Sequence, residues 1–353
     1  MRKTGLKKYE YADVEHFTSE AGLRIRKIMG ERSNPSSCAV ENGIVRNEKR
    51  KNIIQRLTMP LPELEAYYRK RRKDNFENDA PFGGVKVRKV LHPLLVGGMK
   101  LKHILSKQKI TILGDKRMPT DLPVIYAATH IGWDDIEMIL SSIGDHAYLL
   151  WGDPRKMYRD INGFLLDING IVVTDTGDKS DRHIGKETCI KWLDRGGNLL
   201  IFPEGAWNIT ESLPIMPLYT GAAEMAIRTG AEIIPLAIER YGQNYTINIG
   251  RNISVSNLTL EQKHWLTETL RDAMASLRWE IWEKQTQAKR EEISTDYRLQ
   301  ELCELQEEMH DVYTMDDIEA TRFHSKEEIE QRESFVHLDK LIPSEKNAFL
   351  FRK

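Results

Sequence analysis

One histidine and two acids stand where an apolar run gives way to a helix start. In Val124-Ile125-Tyr126-Ala127-Ala128-Thr129-His130-Ile131-Gly132-Trp133-Asp134-Asp135-Ile136-Glu137 the apolar run ends at Thr129. Asp134 with Glu137 three residues on reads as a capping-box-like N-terminus, with Asp134 at the cap and Asp135 in the first turn. His130 is then a loop residue with an acid five positions later. Inside one helix, five residues at about 100° each set two side chains about 140° apart. A loop that doubles back over the helix start lets Asp135 meet the imidazole instead. A carboxylate on one ring nitrogen fixes the tautomer and leaves the other nitrogen to take a proton from an incoming hydroxyl. The plain alternative is a surface-loop histidine beside an ordinary cap. Metal ligation is the other, although three candidate ligands from one loop are too few to name a metal.

A second stretch, Gly196-Gly197-Asn198-Leu199-Leu200-Ile201-Phe202-Pro203-Glu204-Gly205, is another buried-type strand that stops abruptly. Proline ends the ladder, Gly205 permits close backbone approach, and Glu204 is held at the strand end. Its plain reading is a turn with a structural ion pair. Two such ends in one sheet could face each other across a cleft, and α/β proteins place their sites at the C-terminal ends of strands.

The elements that must position these residues follow from the pattern. Apolar runs mark strands at Lys109–Leu113, Val124–Ala128, Ala147–Trp151, Ile171–Thr174, Asn198–Phe202, Ile233–Ile238 and Tyr245–Ile249. Helical patterns at 135–143, 182–195 and 217–229 lie between them, which predicts an α/β fold with crossovers. The fold class expected is a mixed, mostly parallel sheet flanked by helices. A basic N-terminal extension precedes it and a long helical C-terminal extension follows. Leu266, Leu270, Met274, Leu277 and Ile281 recur at the spacing of one helix face, predicting amphipathic helix over 258–313. The boundaries expected are a polar extension over 1–80, an α/β domain over 81–287 that opens with a basic amphipathic segment at 81–108, and an acidic helical tail over 288–353, disordered in part.

Composition sets outer limits. Of 353 residues, 40% are hydrophobic and 30% charged, enough apolar content for a core and enough charge for long solvated helix. Lys+Arg 52 against Asp+Glu 53 argues against a whole-protein nucleic-acid footprint. The balance hides an asymmetry, because residues 291–333 hold 15 acids and 4 bases. Between Pro81 and Gly114 lie Lys86, Arg88, Lys89, Lys100, Lys102, Lys107 and Lys109 without one acid, interleaved with Val90, Leu91, Leu94, Leu95, Leu101 and Ile104. That mixture suits an interfacial segment on anionic lipid, or a core helix with a basic outer face. Tyr67 to Lys73 is either a nucleic-acid or nuclear-targeting patch or the polar face of a helix. Cys38, Cys189 and Cys303 show no zinc or C-x-x-C spacing, which suits reduced thiols in a cytosolic compartment. No secretory leader or 18-residue apolar run is read. The motifs of serine hydrolases, dinucleotide sites and P-loops do not occur.

Taken in order, these blocks resemble the glycerolipid acyltransferase superfamily, the lysophosphatidic-acid and glycerol-phosphate acyltransferases. His130 to Asp135 resembles its first block and Phe202-Pro203-Glu204-Gly205 its third. Gly163-Phe164 with Gly170-Ile171-Val172-Val173 resembles the second, and Gly221 to Ala226 leading to Ile233-Ile234-Pro235-Leu236 the fourth. The resemblance covers roughly 109–285. It implies acyl transfer from acyl-CoA or acyl-carrier protein to a hydroxyl, with no metal, no cofactor and no covalent enzyme intermediate. His130 would be the general base and Asp135 its orienter. Donors around Gly205 would stabilise the oxyanion, and Glu204 would position the acceptor or brace the loop.

The departures fall on the acceptor side. Thr129 stands where Asn is usual. Thr176 and the Ala206-Trp207-Asn208 stretch stand where arginines for the acceptor phosphate are usual. Lys179 and Arg182, with His183 and Lys186, are the nearest basic substitutes, and Phe202, Pro203 and Trp207 would line the acceptor. The default acceptor is lysophosphatidic acid; the alternative is a non-phosphorylated hydroxyl or amine. The expected partners are the acyl donor, the lipid acceptor and an anionic membrane surface, with no nucleic acid. The expected location is cytoplasmic, peripheral to the inner face of the membrane. A non-enzymatic lipid-surface or nucleic-acid binding module is the rival class.

Overall fold

The computed structural model describes residues 51–304, apart from 52, 78–84, 133, 153–167, 176–177, 209–212, 286–287, 298 and 302. The chain divides into two units, residues 1–321 and 322–353; the second lies outside the described residues, as do positions 1–50, Gly163, Phe164 and Thr176.

Three helices, α1 (Ile53–Thr58), α2 (Leu61–Glu77) and α3 (Val85–Leu105), precede strand β1 (Lys109–Asp115). The order then runs β2 (Val124–Ala128), α4 (Asp135–Ile143), β3 (Ala147–Trp151), β4 (Ile171–Val173), α5 (Lys179–Asp194), β5 (Asn198–Ile201), α6 (Gly221–Thr229), β6 (Glu232–Tyr241), β7 (Asn244–Ile249) and α7 (Lys263–Lys284). All seven expected strands form, and they build one sheet in the order β1-β7-β6-β2-β5-β3-β4. Pairing is parallel throughout except between β6 and β7, which form a hairpin and make the sheet mixed.

Alternation along the central strands decides the layers. Ile125, Ala127, Leu199, Ile201 and Ile233 face a core built with α5, α6 and α7. Val124, Tyr126, Ala128, Leu200, Ile234 and Leu236 face the opposite core, against α4 and the inner side of α3. Strands covered on both faces read as unbroken apolar runs, as these do.

The α7 face expected from sequence is buried at all five positions, Leu266, Leu270, Met274, Leu277 and Ile281. The helix itself is shorter than expected. It ends at Lys284, where Gln285 turns extended, and does not run on to 313 as one rod. The apolar stripe stops at Ile281, and beyond it the sequence has charge but no face to bury.

The basic stretch Tyr67–Lys73 lies on α2, and two of its arginines are docked within the fold. Arg72 makes a two-pronged bond to the buried carboxylate of Asp181, at 3.1 and 2.7 Å, and Arg69 reaches Asp175 at 2.9 Å. Removing Arg72 would leave a buried charge uncompensated, typically about 3–5 kcal/mol. Neither alternative drawn for this stretch described that role.

Candidate active site

Strands β2 and β5 are neighbours, with Ile125 opposite Leu199 and Ala127 opposite Ile201. The offset of that register carries past the strand ends and sets His130 level with Glu204. The two strand ends are therefore side by side, and they do not face each other across a cleft.

Thr129, fully buried, extends β2 by one step. Its N–H donates to the Leu236 carbonyl at 3.2 Å, and its hydroxyl accepts the Ile238 N–H at 2.9 Å. The chain then leaves the sheet, and Gly132 takes a left-handed conformation (φ +82°) before α4 begins. One oxygen of Asp135 gathers three donors: His130 Nδ1 at 2.8 Å, Ile131 N at 3.0 Å and Gly132 N at 3.0 Å. Asp135 is 1% exposed and starts α4, where the helix dipole favours a negative charge.

The expected capping box does not form. Asp134 occupies the boundary position but makes no side-chain cap bond. Lys102, from α3, pairs with Asp134 at 3.2 Å and with Glu137 at 2.9 Å, and Gln108 donates to Asp134. One distant lysine and the Gln108 amide hold these two acids away from the helix backbone.

The imidazole of His130 is enclosed on three sides. Phe202 stacks on it at 4.1 Å and 26°. Asp135 holds one edge, and at the other the indole N–H of Trp207 donates to Nε2 at 3.0 Å. Because Nδ1 faces a carboxylate and Nε2 faces a donor, the network assigns the neutral Nδ1–H tautomer, with its lone pair on Nε2. The Trp207 ring lies so close to Gly132 that a Cβ there would sit 2.9 Å from it. Glycine is thus needed at 132 for both its φ and its lack of a side chain.

Glu204 braces the loop. One of its oxygens accepts His130 N at 3.3 Å and the other accepts Met216 N at 2.9 Å. It is 4% exposed, and burial pushes its carboxyl above the usual range against the pull of those two bonds and of Arg278. The strut extends to α7, whose Arg278 and Arg271 hold the carbonyls of Pro214 and Ile215 beside Met216. Glu204→Gln exchanges one accepting oxygen for an NH2 that faces a backbone N–H. The expected loss is about 1–3 kcal/mol, the cost of a buried unsatisfied pair. At about 2–4 °C per kcal/mol for a domain of this size, a thermal scan should show a clear fall in Tm. An unchanged Tm would mean the carboxylate does not carry those bonds.

Of the donors around Gly205, its own N–H is already engaged. Its N–H is spent on the Phe202 carbonyl at 3.0 Å, so it is not offered to an oxyanion. What Gly205 supplies is a left-handed turn (φ +70°) packed on Tyr219, where a Cβ would come within 2.4 Å of the ring. Pro203 holds the same tyrosine through its carbonyl, which accepts Tyr219 N at 2.9 Å.

Residues 109–239 match the family model described as Acyltransferase. Over this segment the chain is similar to that acyltransferase family. A lyso-ornithine lipid O-acyltransferase from Pseudomonas aeruginosa is 29% identical over 116 residues, which is 33% of this chain and 43% of the relative, less than half its length. Among solved structures, a 1-acyl-sn-glycerophosphate (LPA) acyltransferase, PlsC, from Thermotoga maritima is similar over 64% of this chain and 95% of that one, at 15% identity and a TM-score of 0.46.

Within this matched segment, His130, Asp135, Phe202, Glu204 and Trp207 come together. Lys179 and Arg182 do not join them. They lie in the first turn of α5, beyond the end of β4, three strands from β2 or about 14 Å between strand axes. Asp178 caps that helix through the N–H groups of Ser180 and Asp181. Sequence reasoning did not foresee the Trp207–His130 bond or the Met216 strut. The signal available for the first was an aromatic residue following Glu-Gly, and for the second there was none. Among the described residues no cluster of three or more His, Cys, Asp or Glu is placed to hold a metal ion.

Proposed function

We propose that this protein is an O-acyltransferase that moves a fatty acyl group from a thioester, acyl-CoA or acyl-carrier protein, to the hydroxyl of a lysophospholipid-type acceptor. The observation that carries the reading is the Asp135–His130 pair at the end of β2, locked beside Glu204 of the adjacent strand. His130 Nε2 takes the hydroxyl proton as the oxygen attacks the thioester carbonyl. Asp135 stabilises the imidazolium that results. The C–S bond then breaks, and the departing thiolate takes the proton back. No cofactor or metal enters this scheme.

Lysophosphatidic acid is the default acceptor from the family. A second reading, an acceptor without a phosphomonoester, is favoured by Trp207, an uncharged ring at the imidazole where the family has an arginine nearby. Incubating the protein with palmitoyl-CoA or palmitoyl-acyl-carrier protein and a panel of lysophosphatidic acid, lysophosphatidylcholine, lyso-ornithine lipid and monoacylglycerol, with products read by mass, tests both. Acylation of monoacylglycerol or lyso-ornithine lipid alone would sink the phosphate reading. No acylated product at all would sink acyl transfer.

The acceptor is lipid, and α3 is the surface proposed to meet it. Val87, Val90, Leu91, Leu94, Leu101, Ile104 and Leu105 form an outward stripe at helical spacing, with Val90 and Leu94 each 77% exposed. Lys86 and Lys100 are also exposed, and the helix holds no acid. No helix of the described residues is long and apolar enough to cross a membrane. Peripheral attachment at an anionic cytoplasmic face fits this pattern, each engaged Lys contributing about 1 kcal/mol within a Debye length. Vesicle sedimentation should show binding to anionic vesicles that weakens as salt rises, with Leu94→Glu reducing it. Equal recovery in the supernatant under every condition would refute this attachment.

A further inference from the structure

We infer that Trp207 holds the seat of the acceptor hydroxyl, so that His130 activates no water while the acceptor is absent. This rests on the acyl-transfer reading above and adds a positioning residue to it. The indole N–H sits 3.0 Å from His130 Nε2. A neutral imidazole has one in-plane lone pair, and with Nδ1–H committed to Asp135 that lone pair is the one Trp207 occupies. An attacking hydroxyl must donate to the same lone pair, and so must a water. The indole therefore has to move before either can react.

The movement asked of the indole is one of the side chain, because the main chain next to it is held. Asn208 N, the next backbone group along, is fixed to the His130 carbonyl at 2.9 Å, and Asn208 Nδ2 holds the Leu213 carbonyl at 3.0 Å. The main chain beside Trp207 is thereby anchored, so the movement the inference requires is a rotation of the side chain. Phe202 stays stacked on the imidazole, so the ring remains covered on one face as the edge is uncovered. A lipid acceptor brings apolar surface that can replace the indole at this aromatic wall. Water brings none, which is the basis of the discrimination.

The reaction held in check is thioester hydrolysis. A water proton would pass to Nε2 as the water oxygen bonds the carbonyl carbon. The C–S bond would then break and the thiolate would leave with the imidazolium proton, giving free fatty acid and free thiol. Trp207→Phe keeps a ring and removes the N–H. With palmitoyl-CoA and palmitoyl-acyl-carrier protein as probes, thiol release without acceptor should rise about 2- to 13-fold over wild type, the factor held by a hydrogen bond of ordinary net strength. The ratio of hydrolysis to transfer should rise with it, and His130→Ala in the same background should abolish the gain. Replacing Trp207 with benzothienylalanine, whose sulfur takes the place of the N–H in a ring of the same shape, should give the same rise if the phenylalanine variant folds poorly.

The contact has a readout that needs no substrate. The indole N–H resonance that disappears in Trp207→Phe should shift in His130→Ala. Hydrolysis and transfer falling together in both Trp207 variants, or an indole resonance indifferent to His130→Ala, would overturn the inference. Wild-type transfer that needs His130, with hydrolysis unchanged in the Trp207 variants, would sink this inference alone. Thiol release from none of the proteins, with no acylated product, would sink the acyl-transfer reading and this one with it.

Discussion

Asp135→Asn is expected to fold as the wild type does and to lose about 10²- to 10⁴-fold in kcat. A single oxygen of Asp135 accepts all three donors, from His130, Ile131 and Gly132. Asparagine can present its one carbonyl oxygen at that place and keep the loop. What it cannot keep is the negative charge that, on the proposed mechanism, stabilises the imidazolium when His130 holds the acceptor's proton. Asp135→Ala differs in kind. It leaves the two backbone donors and the imidazole N–H without an acceptor in a site where the carboxylate was 1% exposed, at about 1–3 kcal/mol per stranded group. The measurement is Tm and kcat for both variants on the donor and acceptor that the panel identifies. A matched fall in Tm for Asn and Ala would mean that the charge itself builds the loop. A near-normal kcat for Asn would remove Asp135 from the proton-transfer step.

That contrast rests on a pair that was legible in the sequence, because His130 and Asp135 are five residues apart and local chain geometry limits how they can meet. The strands were legible for the same reason: runs such as Val124–Ala128 and Leu199-Leu200-Ile201 are buried on both faces and so apolar at every position. Local pattern does not fix which strands are neighbours. Adjacency of β2 and β5 is what turned Glu204 from a separate strand-end acid into the brace of the His130 backbone.

Where the reading missed, the deciding partner was far along the chain. Asp134 and Glu137 have the spacing of a capping box, but Lys102 lies 32 and 35 residues away and pairs with both. Arg69 and Arg72 looked like surface charge because Asp175 and Asp181 follow 106 and 109 residues later. Trp207 is 77 residues from His130. Spacing arguments reach one helical turn or one strand pair. A buried carboxylate, by contrast, takes whichever cation the fold brings to it, since leaving it unpaired costs more than the chain entropy of the encounter.

The second large effect is expected at His130 itself. His130→Ala removes the proposed base, and it also empties the space between Phe202 and Trp207 and takes one donor from Asp135, so a loss of activity in that variant alone mixes chemistry with packing. His130→Asn separates them. The amide nitrogen of asparagine falls near the position of Nδ1 and can keep the bond to Asp135, while nothing stands at the position of Nε2. Both variants should lose at least about 10²-fold in kcat, the usual scale for a missing general base. The asparagine variant should keep Tm near wild type and an acceptor KM within a few-fold, as expected when an interaction made only in the transition state is lost. Parallel thermal scans and initial rates over a range of acceptor concentrations decide the matter. If His130→Asn turned over at near-normal rates, the proton would have to leave the hydroxyl by another route, because no other nitrogen of this pair remains to take it.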